Sequence, residues 1–252
     1  MRLRIAPIAR ALLLIAFSLV GSAAISHASG LNLAWTLCAN DGGASNRNFA
    51  CSSNTGGQVI EASFQNSSTI TEPIGVEAVI DLQVADATLP PWWTQKFQGG
   101  CRADGAVNWG TVVNVLSSHC LPDLTDAGTT PLFGAPQPGF SAPNRIRWAI
   151  GYSLVDTTVA ELPGGNEFFV LALAVMNRGT VGTSCTGCST PACFVFNSLK
   201  IHRRDGLPDV VISNPGAHPY ATWQGGAIGG LGCPAATPVR GTTWGVLKSM
   251  YR

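Results

Sequence analysis

The segment CTGCSTPAC places Cys185, Cys188 and Cys193 within nine residues, and Cys233 follows forty residues later. Four thiolates could hold zinc, and C-x2-C is typical of zinc knuckles, but the other two cysteines do not form a second C-x2-C pair. A redox motif would begin a helix beside a βαβ unit, whereas this C-x-x-C lies in a Gly/Thr/Ser loop before a predicted strand. In an oxidising compartment, two disulfides among the four cysteines are the expected state, with Cys233 bonded to one cysteine of the loop.

The other four cysteines form two pairs that are close in sequence, Cys38 with Cys51 and Cys101 with Cys120. Each is the nearest available partner of the other, so the spacing predicts two local disulfides. All eight cysteines are thereby assigned to disulfides, and we expect no metal ion.

Histidine, serine and carboxylate residues do not form a recognisable catalytic motif. GYSLV, residues 151–155, lacks the second glycine of a G-x-S-x-G nucleophile elbow, and no H-E-x-x-H, P-loop or dinucleotide motif is present. The histidines after the first 28 residues, His119, His202 and His218, are scattered along the chain. We predict no catalytic residue and no cofactor.

Glu77 and Asp81 are the carboxylates that most resemble a catalytic pair, because they lie four residues apart on one face of a predicted strand. The strand rise separates them by roughly 13 Å, which exceeds the spacing of both retaining and inverting glycosidases. Glu61, on a strand taken to be a neighbour, would offer a closer partner. We interpret all three as acids on solvated strand faces, with glycoside hydrolysis as the alternative.

Trp92 and Trp93, which follow Pro90 and Pro91, are the candidate ligand-binding residues. Exposed aromatic rings on the loops of a β-sandwich can stack on sugar rings. In the alternative interpretation, the two rings close one end of the sandwich beneath a long loop. The choice between them depends on whether the rings are exposed.

The first 28 residues are typical of a secretory signal peptide, with three arginines, a run of fifteen uncharged residues, and Ser26-His27-Ala28 before the expected cleavage site. Without them, 12 basic residues face 14 acidic residues, a net charge of about −2. No basic region suits nucleic acid, and no later segment is apolar enough to span a membrane. We expect a soluble protein that is secreted or held at the cell surface or in the periplasm.

Period-two alternation dominates the sequence after the leader. In residues 57–65 the alternation places Ile60 and Phe64 inside, and residues 74–84 and 145–152 alternate in the same way. NEFFVLALAVMN, which begins at residue 166, is apolar on both faces and predicts a central strand. Residues 193–204 and 209–215 predict two further strands.

Residues 86–144 break this pattern, and we predict a long ordered loop excursion there, in which only residues 107–120 are continuous enough for a short helix. The last residues, TTWGVLKSMYR, place Trp244, Leu247 and Tyr251 at helical spacing and predict a short C-terminal helix. The sequence thus predicts a leader at 1–28 and one all-β domain at 29–252. That domain is an antiparallel β-sandwich of jelly-roll, immunoglobulin or cohesin type.

Several segments together resemble an uncharacterised family of exported bacterial proteins. They are LAWTLCAN, NRNFAC, PPWW, CTGCSTPACFVFNSLKI, TWQGG and TTWGVLKSMYR. The resemblance covers most of the chain after the leader and implies export, but no activity or site residue. GVEAVIDLQV, with the long excursion that follows, is similar to strands of cohesin and carbohydrate-binding modules.

These patterns predict a non-catalytic interaction or structural module that acts outside the cytoplasm. Its partner would be an extracellular protein or a glycan. The alternative function is a carbohydrate-binding or carbohydrate-active protein that uses Trp92 and Trp93.

Overall fold

The computed structural model of the chain describes residues 29–94, 101–102, 107–110, 132–155, 161–182, 185–204 and 206–225. The predicted leader, the predicted C-terminal helix, Cys120, Cys233 and His119 lie outside these described residues. In chain order the strands are β1 (Gly30–Trp35), β2 (Asn46–Arg47), β3 (Gly57–Gln65), β4 (Ile70–Thr71), β5 (Pro73–Val84), β6 (Val107–Gly110), β7 (Phe133–Pro138), β8 (Arg145–Ser153), β9 (Glu161–Leu162), β10 (Glu167–Met176), β11 (Ala192–Arg203), β12 (Val210–Ile212) and β13 (Tyr220–Trp223).

The described chain is all-β, as predicted, and forms two main sheets that pack as a sandwich. The smaller sheet has the order β1-β3-β10-β6, and the larger sheet has the order β2-β13-β11-β5-β8-β7, with β12 also paired to β11. Every pair in these sheets is antiparallel except β2 with β13. Strands β4 and β9 form a separate two-stranded sheet.

The core lies between the two sheets and follows the predicted alternation. Ile60 and Phe64 from β3 are fully buried in one cluster with Ile80 from β5 and Phe194 from β11. Strand β10 is buried along nearly its whole length between β3 and β6, which confirms the prediction of a central strand. Hydrophobic burial of alternate side chains therefore accounts for the way the two sheets face each other.

The predicted excursion differs from a loop, because it contributes one strand to each sheet. Val107–Gly110 is strand β6 and pairs with β10, so the helix predicted from residue 107 is wrong for these four residues. Phe133–Pro138 is strand β7 and pairs with β8. Val107 is fully buried beside β10, and this tertiary pairing overrides the local pattern that suggested a helix. Residues 111–120 lie outside the described part.

Helical structure among the described residues is limited to a 3-10 turn, Ala39–Asp41. Glu167 from β10 holds this turn, because its carboxylate accepts the backbone N–H groups of Ala39 at 3.2 Å and Asn40 at 2.7 Å. No helix in the described part of the chain is long and apolar enough to cross a membrane.

The outer edge of β1 is hydrogen-bonded to the segment that follows β12. The Leu31 N–H donates to Asn214 O at 3.0 Å, and the Gly216 N–H donates to Leu31 O at 2.9 Å. The Leu33 N–H donates to His218 O at 2.6 Å. The smaller sheet is thereby joined at this edge to a segment that leads into β13 of the larger sheet.

Candidate functional site

The cysteines form long-range disulfides in place of the predicted local ones. Cys51 is bonded to Cys188, 137 residues away, and Cys101 is bonded to Cys185, 84 residues away. The predicted Cys38–Cys51 and Cys101–Cys120 disulfides are therefore wrong. Cys38 packs with Val59 from the outer face of the smaller sheet, whereas Cys51 packs against the main core, so the two cysteines belong to different parts of the fold.

The loop around Cys185 and Cys188 fastens one end of the sandwich, but these two cysteines do not have the predicted partners. Its first two cysteines are bonded to Cys51 and Cys101, so neither bonds to Cys233 or to another cysteine of the loop. The bond from Cys233 to a cysteine of the loop stays a prediction, because Cys233 lies outside the described residues. Cys38 and Cys193 are disulfide-bonded as well. The loop therefore connects to the N-terminal part of the chain and to the excursion.

Trp92 and Trp93 lie inside the protein at the end that this loop closes. Both side chains are fully buried, and their ring centroids lie 5.3 and 5.7 Å from that of Trp223. The Trp92 Nε1–H donates to Thr180 Oγ1 at 3.0 Å. The Trp223 Nε1–H donates to the carbonyl oxygen of Cys188 at 2.6 Å. Of the two interpretations of these tryptophans, burial supports the one in which they close the sandwich.

Arg102 completes this end, with its guanidinium 3.9 Å from the ring centroid of Trp92. Its Nη1–H groups donate to the backbone carbonyls of Met176 at 2.5 Å and Arg178 at 3.3 Å. Burial lowers the pKa of Arg102 to about 10, because a charged group is less stable away from water. The side chain stays charged at neutral pH. Because its contacts are with the Trp92 ring and with backbone carbonyls, we assign it a structural role.

The acids of β5 lie on the outer face of the larger sheet, as predicted, but they are not solvated. Asp81 is buried in an ion pair with Arg147 of β8, and Glu77 is buried beside His202 of β11. Glu61 belongs to β3 in the smaller sheet, so the prediction that it neighbours Glu77 and Asp81 is wrong. The sequence pattern finds the correct face but cannot show the cross-strand partners that cover it.

An open groove of about 440 Å³ crosses this outer face at the end where β5 begins. Among its lining residues are Glu77, Phe133, Ser153, His202 and Leu207, together with Gly75. In the sheet register, Gly75 lies directly between Ser153 on β8 and His202 on β11. Gly75 is itself buried and has no side chain, so the centre of this row is low between two polar side chains.

Phe133 forms the β7 side of the groove and lies opposite Gly151 in the register. A Cβ atom on Gly151 would come within 2.9 Å of Phe133 Cζ, so the aromatic ring covers the glycine. Any larger residue at 151 would displace the ring. The glycine in β8 therefore fixes the position of Phe133 beside the groove.

His202 is held between two carboxylates within the groove. Its Nε2 atom lies 2.5 Å from Glu77 Oε1, and its Nδ1 atom lies 3.2 Å from Asp209 Oδ2. Lys200 Nζ lies 2.9 Å from the same Asp209 oxygen. Burial alone would raise the pKa of Asp209, but the hydrogen bonds from Lys200 and the Arg203 backbone, with the charges of His202 and Lys200, lower it overall.

This arrangement does not suit nucleophilic catalysis by Ser153. Both nitrogens of His202 lie against carboxylates, and a histidine held in this way is poorly placed to act as the general base for a serine hydroxyl. Among the described residues, no group of three or more His, Cys, Asp or Glu side chains is placed to hold a metal ion.

The groove was not predicted from the sequence. One signal was present, because Gly75 and Gly151 interrupt otherwise regular strands, and glycine in a strand often marks a bulge or a close approach. Ser153, His202 and Asp209 belong to separate segments that only the strand order brings together. His218 lies elsewhere, and its backbone N–H donates to Asn32 Oδ1 at 2.9 Å.

No family model matches this chain, and no curated protein matches it. Among solved structures, the chain is similar to a cohesin module from a Clostridium perfringens ATCC13124 family 33 glycoside hydrolase. That similarity has a TM-score of 0.32 at 9% identity and covers 77% of this chain and 93% of the cohesin module. At this level of similarity, no site residue can be transferred from that module to this chain.

Proposed function

We propose that this protein is an exported, non-catalytic binding module that takes its ligand in the groove between Phe133 and Leu207. The observation that carries the proposal is the position of His202 between Glu77 and Asp209. Both ring nitrogens are engaged, which disfavours general-base chemistry and favours a fixed polar surface.

The setting of the groove supports a binding role. Its floor is built on β8, β5 and β11, which are neighbours in the larger sheet. Binding sites built on strands hold their geometry more precisely than sites built on loops, so little conformational entropy is lost when the ligand binds. The volume of about 440 Å³ also falls within the usual range for ligand sites.

We also propose that the protein acts outside the cytoplasm, on an extracellular partner. The two long-range disulfides are typical of proteins that fold outside a reducing compartment, and they agree with the signal-like N terminus. The partner would be an extracellular protein or a glycan. The carbohydrate alternative no longer depends on Trp92 and Trp93, whose rings are buried, and depends instead on the groove.

The proposal can be tested with two substitutions of the exposed Ser153. Ser153→Trp fills the groove, whereas Ser153→Ala removes only the hydroxyl group and leaves the groove open. The chain from residue 29 and both variants would be tested by biolayer interferometry against purified extracellular polysaccharides and proteins. We expect Ser153→Trp to weaken saturable binding by at least about tenfold, which corresponds to about 1.4 kcal/mol. Ser153→Ala should stay within about twofold of the unsubstituted chain.

Two results would contradict this proposal. If every ligand that binds the chain keeps its affinity for Ser153→Trp, the groove is not the binding site. If a fluorophosphonate probe labels Ser153 covalently, the serine is an activated nucleophile and the protein is not a simple binding module.

A further inference from the structure

The geometry points to a neutral saccharide chain as the ligand of the groove. In this inference, a sugar ring stacks on Phe133, and sugar hydroxyl groups bond at the edges of the cluster of Glu77, His202 and Asp209. The inference rests on the proposed function, because it names the ligand class of the same site.

The first support is the aromatic side of the groove. Phe133 is partly exposed and lines the groove, while the backbone of Gly151 supports its ring from the sheet side. Because the ring is already held in place, little side-chain conformational entropy is lost when a ligand binds to it. Aromatic rings suit the apolar faces of sugars, which carry hydroxyl groups around their edges.

The second support is the charge balance of the groove. Glu77, His202, Asp209 and Lys200 pair with one another through direct contacts, and Arg204, which also lines the groove, pairs with Glu72. Arg203 donates from Nε to Thr71 O and from Nη2 to Thr71 Oγ1. These two hydrogen bonds already occupy its guanidinium group, so a ligand would have to compete for it. A strongly charged ligand would have to compete with these contacts. A neutral ligand with many hydroxyl groups can bond at their edges without breaking them.

The third support is the extent of the groove across the sheet. It runs from Phe133 on β7 past Ser153 and Gly75 to His202 on β11, with Leu207 beyond. Three strand spacings separate β7 from β11, which corresponds to roughly 14 Å. Leu207 is 37% exposed and provides an apolar surface at the far side. A polar centre with an apolar surface at each side suits a chain of sugars better than a single ring.

A structural role for Phe133 must also be considered, because aromatic side chains often cover glycines in strands. Phe140 provides a matched control for this role. Its ring lies 3.9 Å from the Arg147 guanidinium and is not among the groove-lining residues. Each of Phe133→Ala and Phe140→Ala thus removes one phenyl ring from the same face of the larger sheet, the first inside the groove and the second outside it.

The experiment measures saccharide binding to the chain from residue 29 and to both variants. Neutral oligosaccharides of increasing length, namely cello-, malto- and xylo-oligosaccharides and a wider glycan array, would be compared with polygalacturonate and heparin. We expect at least one neutral series to bind, with a loss of about tenfold or more in Phe133→Ala and about twofold or less in Phe140→Ala. Affinity should hold constant between about 0.05 and 0.5 M NaCl, because screening affects charged ligands only. Thermal unfolding of each variant checks that it is folded.

Other outcomes separate this inference from the proposed function. Binding of only polyanions, with affinity that falls as salt rises, overturns the neutral-saccharide inference. The inference also fails if no saccharide binds, or if Phe133→Ala and Phe140→Ala bind saccharide equally well. If a protein ligand is blocked by Ser153→Trp while saccharides do not bind, the inference fails but the groove remains the binding site. If no ligand responds to any groove substitution, the inference and the proposed function both fail.

Discussion

Asp81 and Arg147 lie directly opposite each other on β5 and β8, and the guanidinium donates to both carboxylate oxygens, from Nε at 2.6 Å and from Nη2 at 2.7 Å. Only 4% of the Asp81 side chain and 9% of the Arg147 side chain are exposed. The pair is therefore a buried, bidentate ion pair on the outer face of the larger sheet, and each partner depends on the other.

Removal of one partner should be far more harmful than removal of both. Arg147→Met leaves a buried carboxylate without its counter-ion, so we expect the free energy of unfolding to fall by about 3–5 kcal/mol. Asp81→Leu combined with Arg147→Met should recover most of this loss, because no buried charge remains. Urea unfolding followed by circular dichroism gives both values.

Arg204→Met is the matched control for that substitution. Arg204 pairs with Glu72 at 3.1 Å, but both side chains are about half exposed. An exposed pair contributes about 0–1 kcal/mol, so this variant should unfold nearly as the unsubstituted chain does. Equal losses in Arg147→Met and Arg204→Met would contradict the assignment of Asp81 as a buried, dependent charge.

Asp209 should make stability depend on pH at the acidic end. The pKa of this carboxyl is lower in the folded protein than its ordinary value of 3.8, since Lys200, His202 and the Arg203 backbone outweigh the effect of burial. Its stabilising contribution is present above that ordinary value and disappears as the pH falls through the folded pKa. Asp209→Asn should therefore reduce the free energy of unfolding at neutral pH but not at a pH well below the folded pKa.

The measurement is the free energy of unfolding of both proteins at a series of pH values from about 7 down to about 2. Asp209 is well exposed, so the difference will be small and should shrink further in high salt. A difference that is the same at every pH would show that the substitution acts through packing and not through ionisation.

The long-range disulfides predict a cross-link pattern that a local pattern cannot produce. Proteolysis without reductant should release a peptide pair joined through Cys51 and Cys188, and another joined through Cys101 and Cys185. A peptide that contains a Cys38–Cys51 bond would contradict this pairing. The mass spectrum before and after reduction distinguishes the two patterns.

The same bonds should contribute strongly to stability, because each closes a loop of many residues in the unfolded chain. Cys51→Ala with Cys188→Ala opens a separation of 137 residues, and Cys101→Ala with Cys185→Ala opens one of 84 residues. We expect each double substitution to lower the free energy of unfolding by about 2–5 kcal/mol. Guanidinium unfolding of both variants tests this range, and a loss below that range in both would contradict it.

Trp93 should behave as a core residue. Its side chain is fully buried against Trp223 and Phe194, so Trp93→Ala removes a large apolar group from a packed environment. We expect a loss of about 3–5 kcal/mol in the free energy of unfolding, with groove binding retained by the folded fraction. If Trp93→Ala keeps the free energy of unfolding of the unsubstituted chain but loses saccharide binding, Trp93 is a surface binding residue and not a core residue.

The strands were predictable because their signal is local. Alternation places Ile60 and Phe64 on one face of β3, and any fold that buries that face must use them in its core. The uniformly apolar β10 could be predicted for the same reason. Disulfide use could also be predicted from a local feature, namely the even number of cysteines.

The disulfide partners and the groove could not be predicted, because both depend on the order of strands. The spacing of Cys51 in the chain contains no information about Cys188. The two come near each other because β13 pairs both with β2, which precedes Cys51, and with β11, which follows Cys188. Likewise, Ser153, Gly75 and His202 form one row only because β5 lies between β8 and β11. The burial of Asp81 depends on Arg147, sixty-six residues away, and no periodicity in either strand indicates that contact.

The hydrogen bonds along the outer edge of β1 have a consequence for behaviour at high concentration. An unpaired edge strand offers its backbone groups to another molecule and so promotes intermolecular β-sheet and aggregation. In this protein the N–H groups of Leu31 and Leu33 are already bonded to the chain's own segment at Asn214 and His218. A second molecule would have to displace that segment before it could add a strand at β1. The edge is therefore protected against self-association by the chain itself.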